Sequence, residues 1–169
     1  MAYTAPVAGD WDTNDIFVAA KFATQVLDNI TYLKTAADSR AFSVEVFSAL
    51  SAVGTGDNKR IVGPASAILN TYNLTNVISS VYAKSTGGLP TVSIQRGRSA
   101  AAGSAHAWVD MLSTNVTIDA NEYSSITAAT AMVVNTSNDD IATGDLFSIN
   151  VDVAGTATTG LWVTMEFAK

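Results

Sequence analysis

Cysteine is absent from this 169-residue chain, so neither a disulfide nor a thiolate metal site can form, and packing must supply the stability. Histidine occurs once, at His106, which leaves acid–base chemistry with a single imidazole. Charge is scarce as well: 14% of residues are charged, against about 25% in an ordinary soluble domain. The nine Lys and Arg form no basic run and the net charge is −6, so nothing here neutralises a phosphate backbone, and nucleic acid is excluded as a partner. No apolar run approaches the roughly 18 residues of a membrane span, so no membrane insertion is expected. Met1-Ala2-Tyr3-Thr4 lacks the basic and apolar regions of a signal peptide. What is present is 48% hydrophobic content, enough for one core, diluted by Ala, Thr, Ser, Asn and Gly rather than by charge. Such a surface suits burial against identical neighbours.

The amino-terminal segment reads as one amphipathic helix. Phe22, Val26, Ile30 and Leu33 follow at offsets of 4, 8 and 11, with Ala19 three residues before Phe22. At about 100° per residue they share a stripe. Thr13 or Asn14 can cap the start, Asp15 suits the positive end of the helix dipole, and Lys34 suits the negative end. A helix of about 16 to 20 residues is marginal alone and needs a partner surface. That surface is either its own β-domain or an assembly, in which Trp11, Phe22, Val26, Ile30 and Leu33 would anchor or trimerise the chain.

Residues 35 to 41 read as a polar joint, which divides the chain into an anchoring segment, 1–40, and a β-domain, 41–169. Phe42-Ser43-Val44-Glu45-Val46 alternates with period 2, and so does Thr91-Val92-Ser93-Ile94-Gln95-Arg96. Further strands are expected at 60–62, 76–83, 116–119, 131–135, 146–153 and 161–167. Turn signals separate them, among them Gly54-Thr55-Gly56-Asp57-Asn58, Gly87-Gly88-Leu89-Pro90 and Thr143-Gly144-Asp145. About eight short strands at this spacing predict an all-β antiparallel sandwich, and uneven connections favour a jelly-roll or Greek-key order.

Catalytic signals are weak. His106 lies beside the small-residue loop 99–105 with no nucleophile elbow near it, so no catalytic residue is assigned. Asn138-Asp139-Asp140 with Gly144-Asp145 is the densest group of oxygen ligands. Asp139, Asp140 and Asp145 are the residues a calcium ion would take, but their spacing is not that of an EF-hand, and a solvated turn is the plainer reading. No metal or other cofactor is expected. The Asn-x-Ser/Thr triplets are products of composition. Trp108 and Trp162 stand in strand-like contexts and are expected in the core. Tyr123, beside Glu122 and Asn121, is the candidate for exposed glycan contact. Arg96 and Arg98 flank Gly97 and are expected to pair with carboxylates between subunits.

With these residues in view, the chain resembles virion structural proteins of tailed bacteriophages. The resemblance rests on Gly9-Asp10-Trp11, Ala19-Ala20 and Asp28-Asn29-Ile30-Thr31-Tyr32-Leu33 in the first segment. In the second half it rests on Asp110-Met111-Leu112-Ser113-Thr114, Thr117-Ile118-Asp119, residues 143 to 152 and Gly160-Leu161-Trp162-Val163, which are similar to small β-domains of phage fibres, spikes and decoration proteins. Two departures stand out: Trp11 follows the Gly-Asp pair instead of preceding it, and Phe22-Ala23 replaces an indole or Asn within the helix. The resemblance implies a non-enzymatic homotrimer, made in the host cytoplasm and held in the virion by its first segment. Its partners would be capsid, tail or portal proteins and host surface polysaccharide. The alternatives are a capsid decoration protein that stabilises the shell and, from another class, a glycan-active enzyme.

Overall fold

A computed structural model describes residues 26–101 and 103–169, and the chain divides into two compact units, Met1–Arg40 and Ala41–Lys169. In the first unit, helix α1 (Asp28–Ala37) follows a wider turn at Val26 and Leu27. Leu27 already has helical dihedrals (φ −69°, ψ −38°), and the Thr31 hydroxyl donates to its carbonyl at 2.8 Å. Asp28 in the first turn and Lys34 in the last match the helix dipole. The joint expected from residue 35 starts later. Ala36 and Ala37 are strong helix formers, and the Asp38 N–H still bonds the Lys34 carbonyl at 2.9 Å. Trp11, Phe22 and the Thr13 or Asn14 cap lie outside the described residues.

Ten strands are described: β1 (Ser39–Ala52), β2 (Gly56–Val62), β3 (Asn73–Ala83), β4 (Thr91–Ser99), β5 (His106–Asp110), β6 (Leu112–Thr114), β7 (Val116–Thr117), β8 (Val133–Val134), β9 (Leu146–Val153) and β10 (Thr159–Ala168). One sheet has the order β1-β10-β3. A second has the order β2-β9-β4-β5, with β7 also on β4, and β6-β8 form a small ribbon. The described residues are therefore mostly antiparallel β-structure, with one α-helix among them. Its pairing is nested: β1 lies beside the last strand and β2 beside the one before it, while β10 and β9 reach onward to β3 and β4.

Period-2 patterning explains the two faces. Along β10, Leu161, Val163, Met165 and Phe167 are buried, and Trp162, Thr164 and Glu166 between them are half-buried. Along β9, Phe147, Ile149 and Val151 are buried beside Val92 and Ile94 of β4. The inner faces of the two sheets meet at Phe147 and Phe167, whose rings lie 5.7 Å apart. Phe42 of β1 joins them at 6.0 and 5.5 Å. These residues belong to one continuous core, as a two-layer arrangement requires.

Several expectations shift in detail. The strand expected at 116–119 pairs only at Val116–Thr117, because Ile118 turns inward and its N–H goes to the Pro90 carbonyl. That expected at 131–135 shrinks to Val133–Val134. Trp108 and Trp162 are half-buried on outward positions rather than in the core. The strand β5 was read from sequence only as a strand-like context around Trp108, without bounds.

Candidate functional site

Where β4 nears its end, its inward row changes from Val92 and Ile94 to Arg96 and Arg98. A cation here needs carboxylates, and the connection from β8 to β9 supplies them. Arg98 donates through Nε and Nη2 to the two oxygens of Asp145, at 2.8 and 2.6 Å. Its Nη1 reaches Asp140 Oδ2 at 2.9 Å. Arg96 Nη1 donates to both the carboxylate and the carbonyl of Asp140. Asp145 is almost wholly buried and also accepts the Ala142 N–H at 2.8 Å. Its own carbonyl takes the Ala65 N–H at 2.7 Å. The cluster thus ties β4, the turn before β9 and the segment after β2 together.

The electrostatics follow from this geometry. The Asp145 hydrogen bond is the main cause holding the Arg98 guanidinium above its ordinary pKa, against a smaller opposing effect of burial. Partial burial pushes the Asp140 carboxyl up, but hydrogen bonds and charge from Arg96 and Arg98 outweigh it and hold the group below the usual carboxylate range. Chemically this is a saturated ion-pair network. Arg96 Nε is the exception, a buried donor without a partner among the described residues.

The site residues read from sequence fall as follows. Asp140 and Asp145 are brought together, but by two guanidinium groups rather than around an open space for calcium. Asp139 contributes its carbonyl to the Leu74 N–H at 2.9 Å. Among the described residues no group of three or more His, Asp or Glu is placed to hold a metal ion. Arg96 and Arg98 pair within their own chain, not between subunits as expected, since the loop before β9 brings both carboxylates to them. His106 is exposed at the start of β5, its ring 6.2 Å from that of Trp108. Tyr123 is more than half exposed, with Lys84 Nζ 5.9 Å from its ring centroid. In the turn before α1, Val26 is half-buried and Leu27 more than half exposed, and on α1 Ile30 and Leu33 are each more than half exposed.

Among the described residues, two clefts stand out on the β-unit. One of about 280 Å³ lies along β3 and is lined by Val77, Ile78, Val116, Ile126 and Met132 among others. The other, about 220 Å³, is lined by Phe42, Val62, Pro64, Leu69 and Phe147. Neither cleft is lined by an ionisable side chain. Sequence reading missed the juxtaposition of Gly97 and Trp108, which face each other across β4 and β5. The signal was present as a glycine inside an alternating strand, which marks a close approach of something else. No model of a known protein family matches this chain, and no curated protein sequence is significantly similar to it.

Proposed function

We propose that the chain is a non-enzymatic structural component of a tailed-phage particle: a homotrimeric fibre or spike, attached through residues 1–40, with an outward β-domain that meets host surface glycan. The observation that carries this reading is a contrast between the two units. Every buried hydrophobic among the described residues lies between Val44 and Phe167, within the β-unit. The helix and the turn before it leave Leu27, Ile30 and Leu33 exposed. Val26, Ile30 and Leu33 follow at spacings of 4 and 3, the spacing of a coiled-coil seam. An apolar stripe on a short helix is stable when a second surface covers it.

The nested strand order supports a jelly-roll reading of the β-domain, with β1-β10-β3 as one layer and β2-β9-β4-β5 as the other. Residues 123–125 flank β3 where an eighth strand would sit: Ser124 forms a bridge to Ser80, and the Tyr123 carbonyl accepts the Val81 N–H at 2.9 Å. The resemblance of both halves to virion proteins supplies the particle itself. The test is localisation and state of assembly. Sedimentation of the purified chain should give a trimer, and antibody labelling should mark projections from the particle. A folded monomer at micromolar concentration, or a chain that never co-purifies with particles, would overturn the reading. Label spread over the capsid surface, with heat-labile particles when the protein is missing, would point to decoration instead.

A further inference from the structure

The outer face of the β2-β9-β4-β5 sheet carries three adjacent rows of side chains. Asp110, Gln95, Ser148 and Ile61 stand opposite one another, then Trp108, Gly97 and Leu146, then His106 and Ser99. Their alternates on β4 and β9, including Ile94, Arg96, Phe147 and Ile149, are buried, so these rows face away from the core. Gly97 has no side chain, and the indole of Trp108 takes that place. A Cβ on Gly97 would lie 2.8, 2.9 and 2.9 Å from three consecutive atoms of the six-membered ring. Near-equal distances put that point over the face of the ring rather than beyond its edge. One face of the indole therefore covers β4, and Trp108, only half-buried, keeps part of its surface accessible. His106, exposed and inclined 34° to Trp108, extends the aromatic surface.

Beside this ledge, Gln95 Nε2 donates to Asp110 Oδ1 at 2.8 Å. Asp110 Oδ2 and the side-chain Oε1 of Gln95 have no further partner among the described residues. Ser148 offers nothing, since it is buried and bonded to Asn58 and Asn150 at 2.8 and 2.9 Å. The three rows contain one carboxylate and no lysine or arginine, which disfavours phosphorylated or acidic ligands. A flat apolar ledge next to two oriented acceptors matches a sugar ring, which presents C–H groups on one face and hydroxyl donors at its rim.

We infer that this face is a binding site for neutral polysaccharide, with Trp108 as the stacking surface and Asp110 and Gln95 as hydroxyl acceptors. It rests on the proposed outward β-domain and moves the glycan contact from Tyr123 to the opposite layer. The experiment is affinity electrophoresis of the full chain through gels containing dextran, mannan, galactan or laminarin. At least one of these should retard the protein. Asp110→Ala and Trp108→Ala should each weaken that retardation at least tenfold, and Tyr123→Ala should leave it unchanged. Because Trp108 also covers Gly97, thermal melts accompany each variant; Asp110→Ala tests the site with the indole left in place. Retardation by none of the four, or equal retardation of Asp110→Ala and the parent, overturns the inference. A chain that joins particles yet ignores all four polysaccharides sinks this site and leaves the virion reading intact. One that binds glycan but never associates with particles does the reverse.

Discussion

Asp145 is a buried carboxylate, and a buried charge is tolerated only when paired and hydrogen-bonded. Removing it leaves Arg98 with Asp140 as its remaining carboxylate, and the Arg98 side chain is about one-third exposed and so partly rescued by water. Asp145→Ala should therefore cost about 3 kcal/mol, the low end for a broken buried pair, read as a lower urea midpoint. Asp140 acts differently. Its folded pKa lies below the unfolded value of about 3.9, so its contribution is complete above that pH and fades as pH falls through the folded pKa. Urea midpoints at pH 7 and pH 3 should differ less in Asp140→Asn than in the parent. Gly97→Ala places a methyl over the Trp108 ring at under 3 Å. It should destabilise by about 1–3 kcal/mol through displaced indole, with a changed near-ultraviolet circular dichroism signal.

Strands were legible where burial alternates cleanly, as in β3 and β10, because one face meets the core and the next residue does not. The bounds of β5 were not, since Ala107, Trp108 and Val109 are apolar in succession and only two of its residues escape that run. The Arg–Asp cluster was invisible for another reason. Its members lie more than 40 residues apart, and only the β4–β9 pairing brings them together. Sequence could show scarce charge and a dense acidic turn, not which cation would meet it. For α1, the expectation is that its stripe serves assembly. Ile30→Asp with Leu33→Asp should abolish the oligomer in sedimentation while leaving the β-unit folded, with a melting temperature near that of the parent extrapolated to low concentration. If the pair instead unfolds the whole chain, the helix belongs to the fold and not to an interface.

The division into two units sets a test at the scale of the molecule. A fragment spanning 39–169 retains all ten strands, every buried hydrophobic described, and the Arg96–Arg98–Asp140–Asp145 cluster. By area reasoning it loses little of the apolar burial found among the described residues, and the hydrophobic term scales with surface removed from water. It should fold alone with a circular dichroism spectrum dominated by strand and a melting temperature within a few degrees of the parent extrapolated to low concentration. The parent's melting temperature should rise with protein concentration, because association stabilises the folded state by mass action, whereas the fragment's should not. A fragment that aggregates or stays unfolded would show that residues 1–38 complete the core. A fragment that still sediments as a trimer would place the subunit contact on the sheets, leaving the exposed stripe of α1 to bind the particle alone.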